Sequence, residues 1–172
     1  MEQPLKSRKT KSPEQALAAL QYLCARGEKS SGDAFRLLRG WGVEGQQAEE
    51  VVAALLRDRF IDDRRYAEAY VREKSRLSGW GGYKIRQGLM RKGVARPLIE
   101  EALRQISPEE GADRLQELLE RKLRGVKARD RYDLRTKLIR YALSRGYDFE
   151  QVGEQVDRLL KRKDLTCDTF FD

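Results

Sequence analysis

The fold is encoded most plainly in residues 85–94, IRQGLMRKGV, where apolar residues precede a glycine at a helical spacing. Ile85 and Leu89 are four residues apart, so they lie on one face of a helix. Gly93 follows at the same interval, and glycine readily takes the left-handed conformation that ends a helix. Val94 is apolar, as expected where the chain folds back onto the last turn. The stretch therefore predicts a helix that ends at a glycine.

The same pattern surrounds three glycines, Gly42, Gly93 and Gly146. Apolar residues stand eight and four positions before each glycine, directly after it, and again 6, 10 and 13 positions later. The later positions share one face of a second helix, so each copy predicts a helix–glycine–helix hairpin. The matched residues are Ala34, Leu38, Val43, Ala48, Val52 and Leu55, then Ile85, Leu89, Val94, Ile99, Leu103 and Ile106, then Leu138, Ala142, Tyr147, Val152, Val156 and Leu159.

A further helix precedes each hairpin. Ser12-Pro13-Glu14 and Ser107-Pro108-Glu109 each combine a capping serine, a proline in the first turn and an acidic residue near the positive helix end. Asp62 or Asp63 can cap the corresponding helix of the middle copy. These signals predict first helices near 13–26, 63–77 and 108–124.

The predicted fold is all-α, an elongated array of three tandem three-helix repeats that resemble helix-turn-helix units. Stacked repeats bury faces that a single repeat leaves exposed. The repeats are predicted at 12–61, 62–106 and 107–163, between a basic disordered tail at 1–11 and a C-terminal tail at 164–172.

The composition argues against metal chemistry and disulfides. The chain has no histidine, and its two cysteines, Cys24 and Cys167, lack metal-ligand spacing. Cys24 falls on an apolar helix face and is predicted to be a packed thiol in a reducing compartment. The basic N-terminus has no apolar stretch behind it, and no run of about 18 apolar residues occurs. A cytoplasmic protein without a membrane span is expected.

Catalysis is not expected either. Asp62 and Asp63 are adjacent, so on a helix they point about 100° apart and make poor joint ligands. The loop at 78–82, SGWGG, lacks the lysine and hydroxyl of a phosphate-binding P-loop. We therefore predict no enzyme activity, no metal, no cofactor and no small-molecule substrate.

Positive charge is concentrated in two blocks of a chain whose net charge is +8. Residues 57–96 hold twelve basic and five acidic residues, and residues 121–140 hold nine and two. Such blocks favour polyanions or an acidic protein groove. The alternative, that these residues only solubilise helix faces, stays equally open.

Basic and aromatic residues alternate in the middle repeat. Arg72 and Arg76 lie one turn apart and predict an outward basic stripe, whereas Tyr66, Tyr70 and Val71 are predicted to belong to the core. The glycine-rich loop is either a connector in which Trp80 fills the joint between helices or a contact loop, and both interpretations stay open. The predicted electrostatic contacts are Arg64, Arg72, Lys74, Arg76, Lys84, Arg86, Arg91 and Lys92, and the predicted contact loop is Gly79, Trp80, Gly81 and Gly82.

Three segments resemble the hallmark of the RecX family. They are FIDDRRYAEAYVR at 60–72, GGYKIRQGL at 81–89 and KGV at 92–94. In that family an acidic pair, an aromatic–alanine–aromatic helix, a glycine loop and a lysine–glycine turn follow in this order. The first repeat also fits, because Ser30-Ser31 precedes its second helix. The third repeat departs from the pattern at residues 141–143.

The resemblance implies a modulator of RecA, the bacterial recombinase that polymerises on single-stranded DNA. Members of the family bind RecA filaments and suppress ATP hydrolysis, strand exchange and filament growth, and some bind DNA weakly. The resemblance thus implies a RecA filament as partner, weak contact with single- or double-stranded DNA, and a role in DNA repair and recombination. The alternative is a general basic nucleic-acid-binding module that acts without RecA.

Overall fold

The structure is a computed structural model that describes residues 10–164. Within that range the chain forms nine α-helices and no strand, which confirms the predicted all-α repeat fold. The predictions for residues 1–9, for Cys167 and for most of the C-terminal tail lie outside the described residues. The helices are α1 (Pro13–Arg26), α2 (Ser31–Gly40), α3 (Gly45–Arg57), α4 (Asp63–Arg76), α5 (Gly82–Arg91), α6 (Arg96–Leu103), α7 (Pro108–Leu123), α8 (Arg131–Ser144) and α9 (Phe149–Asp164).

The predicted helix starts are confirmed. Ser12 and Ser107 each cap the following helix in a reciprocal capping box, with Gln15 and Glu110 as their partners. At the start of α4 the Asp62 carboxylate accepts the Arg65 N–H at 3.0 Å, so Asp62 is the cap of that helix. The three first helices end within one residue of the predicted positions.

The three hairpin glycines adopt the left-handed conformation predicted for them. Gly42, Gly93 and Gly146 have φ angles of 77°, 75° and 87°. In each copy the N–H of the next residue bonds back to the carbonyl of the residue four positions before the glycine, at 2.9, 3.2 and 3.3 Å. This is the bond pattern that closes a helix at a glycine, and it turns the chain into the following helix.

The described residues form two compact units, one with residues 10–67 and 89–99 and the other with 68–88 and 100–164. The first unit has a core between α1, α2 and α3, with Cys24 half-buried at its edge. The core of the second unit lies between α7, α8 and α9. The core residues are Ala16, Leu20, Ala34, Leu38, Val43, Ala48, Val51, Val52, Leu55 and Ile61 in the first, and Leu115, Leu118, Leu119, Leu123, Leu134, Leu138, Ile139, Ala142, Tyr147, Val152, Val156, Leu159 and Leu160 in the second.

Helix α4 departs from its predicted core face. Val71 is buried as predicted and Ala67 is buried as well, whereas Tyr66 and Tyr70 are only half-buried. The prediction that the two tyrosines belong to the core is wrong because the buried stripe runs one position later, through the smaller side chains. A tyrosine at the edge of a buried stripe keeps its ring against apolar surface and its hydroxyl within reach of polar groups.

Candidate partner-binding surface

The N-terminal end of α2 carries a buried serine that contacts the turn after α5. Ser30 is fully buried, and its hydroxyl donates a 2.6 Å hydrogen bond to the Lys92 carbonyl. The hydroxyl oxygen also accepts the Asp33 N–H at 3.1 Å, so the same side chain caps α2. Gly32 packs against the backbone of Lys92 and Gly93, where any side chain would overlap with it. The two segments therefore meet through backbone contacts that only small residues allow.

Charged side chains surround this contact. Lys92 Nζ lies 3.2 Å from the Asp33 carboxylate, which also pairs with Arg36. Arg36 donates in addition to the Arg91 carbonyl at 2.9 Å. Burial raises the pKa of Asp33, but the hydrogen bond and charge of Lys92, helped by the Ser30 N–H and Arg36, outweigh it and hold that pKa below its ordinary value. Lys92, a predicted partner contact, is thus engaged within the chain.

The acidic pair at the start of α4 has two separate structural partners. Asp62 caps the helix, and Asp63 accepts the Ser31 N–H at 2.8 Å and also the Ser31 hydroxyl. In the part of the chain that the structure describes, no group of three or more histidine, cysteine, aspartate or glutamate side chains is arranged to hold a metal ion. Both carboxylates are thus engaged in hydrogen bonds within the chain.

The N-terminal end of α5 meets the turn after α8 in a corresponding way. The Gly81 N–H donates to the Arg145 carbonyl at 2.8 Å, and the Tyr83 N–H donates to the Gly146 carbonyl at 3.1 Å. Gly81 is buried, and a side chain there would overlap with the Gly146 backbone. We call the Ser30–Lys92 and Gly81–Arg145 contacts turn-docking joints. Each places the N-terminal end of one helix against the carbonyls that end another, which is a favourable arrangement of helix dipoles.

The glycine-rich loop is tied to the helices on both sides. The Trp80 N–H donates to the Lys74 carbonyl at 3.0 Å. The ammonium groups of Lys74 and Lys84 lie 5.5 and 4.8 Å from the centre of the half-buried Trp80 ring. Lys84 also donates to the Ser144 carbonyl at 3.1 Å. These contacts favour the connector interpretation of the loop, and a role in partner contact stays a prediction.

Two of the predicted contact residues in the second unit stand out. Arg72 and Arg76 are exposed, lie one turn apart on α4, and have no carboxylate partner within residues 10–164. We call them the exposed arginine pair. By contrast, Arg86 makes two hydrogen bonds to the Glu100 carboxylate, at 2.6 and 3.0 Å, which raise the pKa of Arg86 and offset its charge. In the first unit, Arg64 and Arg91 are exposed.

Three further arginines join Arg76 in a cleft that the sequence did not reveal. Arg114, Arg121 and Arg145 line, together with Arg76, a cavity of about 460 Å³ in the second unit. Arg121 belongs to the second basic block of the sequence. The sequence positions of the four arginines do not indicate that their side chains meet. Only the fold of this unit, which places the end of α4 near α7 and the end of α8, brings them together. We call this cavity the arginine cleft.

No helix among residues 10–164 is long and apolar enough to cross a bilayer. Comparison with known proteins gives two matches to models of one family. Residues 62–103 match the second three-helix domain of RecX, and residues 108–154 match its third three-helix domain.

Two curated relatives show the extent of the similarity. A protein of Vibrio parahaemolyticus named regulatory protein RecX is 31% identical over 139 residues, which cover 79% of this chain and 85% of the relative. A Clostridium tetani protein of the same name is 30% identical over 144 residues, covering 83% of this chain and 65% of the relative. Against relatives from Clostridium perfringens and Clostridium acetobutylicum, the chain spans 56% and 50% of their length.

Solved structures show a similar fold. The crystal structure of RecX from Lactobacillus salivarius has a TM-score of 0.75 at 20% identity and covers 89% of this chain and 97% of that one. Another crystal structure, of regulatory protein RecX, has a TM-score of 0.78 at 23% identity. The match covers 85% of this chain and 73% of that one.

Proposed function

This chain belongs to the RecX family, and on that premise we propose that it is a negative regulator of RecA. It binds RecA–DNA filaments and suppresses their ATPase activity, strand exchange and growth. The name regulatory protein RecX, carried by the relatives from Vibrio parahaemolyticus and Clostridium tetani, supports the regulatory role. The sequence resemblance in the middle repeat supports the choice of RecA as partner.

The exposed arginine pair is the main reason for placing the RecA contact on α4. Most of the other predicted contacts in the second unit are engaged within the chain, since Lys74 and Lys84 lie over Trp80 and Arg86 pairs with Glu100. Arg72 and Arg76 keep their guanidinium groups free of intramolecular carboxylates among the described residues. Such groups form charge-assisted hydrogen bonds with carboxylates or phosphates of a partner and increase its association rate.

The test is RecA's DNA-dependent ATPase, measured on single-stranded DNA while this protein is titrated. Wild-type protein is expected to lower the rate at substoichiometric amounts. The double variant R72E/R76E is expected to need at least about tenfold more protein, because reversing both charges replaces attraction with repulsion. No change in ATPase rate at saturating wild-type protein would contradict the proposal.

A matched control variant distinguishes the effect of a specific surface on RecA inhibition from the effect of net charge. Arg104 and Arg124 are also exposed arginines of the second unit without a carboxylate partner in the described part of the chain. The variant R104E/R124E changes the net charge by the same amount. It is expected to inhibit RecA within about twofold of wild type, since weak long-range charge effects are screened at physiological salt. Equal loss in both variants would reject the assignment to α4.

The regulator acts without catalysis, without a cofactor or small-molecule substrate, and in the cytoplasm, where RecA works. Its contact with single- or double-stranded DNA is weak and secondary to the contact with RecA. A general nucleic-acid-binding module is the alternative, favoured by the net charge of +8. That alternative predicts tight binding to naked DNA, with an affinity that falls steeply as salt rises. A fluorescence anisotropy titration of labelled DNA without RecA distinguishes the two.

A further inference from the structure

The arginine cleft is lined by four guanidinium groups and a single carboxylate. Arg76 comes from the end of α4, Arg114 and Arg121 from α7, and Arg145 from the end of α8, while Glu117 is the acidic residue. Like charges held around one cavity repel each other, and a bound anion relieves that repulsion. The cleft therefore has the electrostatics of an anion site.

Arg114 gives the cleft a donor that the protein leaves unsatisfied. Its Nη1 is buried and has no hydrogen-bond partner among the described residues, and its Nη2 lies 3.7 Å from Glu110, a long ion pair. A buried guanidinium N–H without an acceptor costs free energy, and an anion in the cleft supplies the missing acceptor.

Arg145 is held in place from two sides. Its carbonyl accepts the Gly81 N–H in the turn-docking joint, and its guanidinium donates to the Tyr141 hydroxyl at 3.3 Å. The loop that contains Ser78, Gly79 and Trp80 also lines the cleft. The guanidinium group of Arg145 is thus positioned before a ligand arrives, whereas Arg76 and Arg121 are exposed at the rim.

The aromatic rings of the cleft already hold cations. Lys74 and Lys84 lie over Trp80, and Lys122 and Arg145 lie 5.0 and 5.1 Å from the centre of the Tyr141 ring. Each of these rings thus has two cations near it, which compete with a nucleobase for the ring faces. The lining consequently suits the charged part of a ligand and offers little to recognise a base.

We propose that the arginine cleft binds the phosphate chain of a small polyphosphate ligand, such as a nucleoside triphosphate or inorganic tripolyphosphate. The cleft shares Arg76 with the exposed arginine pair, but this proposal does not rest on the proposed RecA contact. Phosphate fits better than a carboxylate because its several outward oxygens can be met by several guanidinium groups, whereas one carboxylate satisfies one of them. The cavity volume of about 460 Å³ lies within the ordinary range for small-molecule sites.

The test is isothermal titration calorimetry of the full chain at low salt, without RecA, using tripolyphosphate, ATP and CTP as separate ligands. Wild-type protein is expected to bind one molecule of each, with affinities for ATP and CTP within about threefold of each other, because the bases are not stacked. Absence of saturable tripolyphosphate binding would overturn the proposal. A strong preference for one nucleotide would also overturn it, because the lining offers little that distinguishes one base from another.

The chain offers a matched pair of variants. R76Q/R121Q removes two exposed charges from the rim of the cleft, and R72Q/R124Q removes two exposed charges from the same two segments outside it. The first is expected to weaken tripolyphosphate binding at least about tenfold, through the loss of two charge-assisted hydrogen bonds, and the second less than about twofold. All four positions are exposed, so circular dichroism should show unchanged folding. Equal losses in the two variants would reject a defined site in favour of diffuse attraction.

A further titration with an oligonucleotide distinguishes a small polyphosphate ligand from the backbone of a nucleic acid. A 20-residue oligothymidine is titrated into the same proteins. Binding of the oligonucleotide that depends on Arg76 and Arg121, together with no binding of tripolyphosphate, would replace the small ligand by the backbone of single-stranded nucleic acid. Tripolyphosphate binding that oligothymidine does not displace supports the proposal.

Discussion

The Ser30 hydroxyl donates a 2.6 Å hydrogen bond to the carbonyl of Lys92, which lies 62 residues later in the chain. Ser30 stands twelve positions before the glycine of the first hairpin, and Lys92 directly precedes the glycine of the second. Gly81 and Arg145 occupy the corresponding positions in the next two hairpins, and the Gly81 N–H donates to the Arg145 carbonyl at 2.8 Å. The repeat is therefore present in the contacts between its copies as well as in the helices.

Replacing Ser30 with alanine should lower the free energy of unfolding by about 1–3 kcal/mol. The variant loses a helix cap and leaves the Lys92 carbonyl and the Asp33 N–H without their partner. Urea unfolding followed by circular dichroism measures the change. Ser12→Ala is the control, because Ser12 also caps a helix but is exposed. The Ser12→Ala variant should lose about 1 kcal/mol or less of unfolding free energy. Equal losses in the two variants would show that the Ser30–Lys92 hydrogen bond contributes no stability beyond helix capping.

Two adjacent glycines should respond differently to replacement by alanine. A side chain at Gly81 would overlap with the Gly146 backbone, so Gly81→Ala should destabilise the protein by about 1–3 kcal/mol. Gly82 begins α5 and has open space around it, so Gly82→Ala should be neutral or stabilise by up to about 0.5–1 kcal/mol. Thermal unfolding of both variants checks this, and a Gly81→Ala protein as stable as wild type would mean that the joint is absent.

Asp33 should make stability depend on pH. Because its pKa is lower in the folded protein, its ionised form stabilises the fold at pH values above the ordinary aspartate pKa of about 3.9, and this contribution is lost as pH falls through the folded value. Asp33→Asn should therefore unfold at lower urea than wild type at pH 6, and the difference should shrink toward pH 3. Glu49→Gln, an exposed carboxyl without an ion pair in the described residues, provides the comparison. A difference in urea midpoint between wild type and Asp33→Asn that stays constant from pH 6 to pH 3 would contradict a lowered pKa of Asp33.

Cys24 should react slowly with iodoacetamide. Burial raises the pKa of its thiol, with Glu28 acting in the same direction against Lys29 and Arg65, so less thiolate is present at neutral pH. The alkylation rate is best followed by mass spectrometry in a Cys167→Ser variant, which leaves a single thiol. The rate at pH 8 should be well below that of free cysteine and should rise above pH 9. A rate at pH 8 equal to that of free cysteine would show that Cys24 is not shielded.

Much of the secondary structure was predictable because its causes are local. Ser12, Ser107 and the hairpin glycines act on backbone groups within about four residues, and the 3.6-residue period marks the buried face of each helix. On α4 the period identified Val71 as buried, but it favoured Tyr66 and Tyr70 over Ala67. Hydrophobicity alone favours the larger side chains, whereas a close-packed interior accepts only side chains that fit its shape, and Ala67 is the residue that is fully buried here.

The sequence was thus sufficient for the all-α class, the positions of the helix ends, the three glycine turns and the resemblance to the RecX family, because each rests on residues close together in the chain or on a recognisable local motif. Tertiary structure decided which arginine and lysine side chains are free to contact a partner. It pairs Arg86 with Glu100 and Lys92 with Asp33, leaves Arg72 and Arg76 exposed, and gathers Arg114, Arg121 and Arg145 around Arg76. Ion pairing falls off within a few ångströms, so it depends on distances between side chains that lie up to 69 positions apart in the chain.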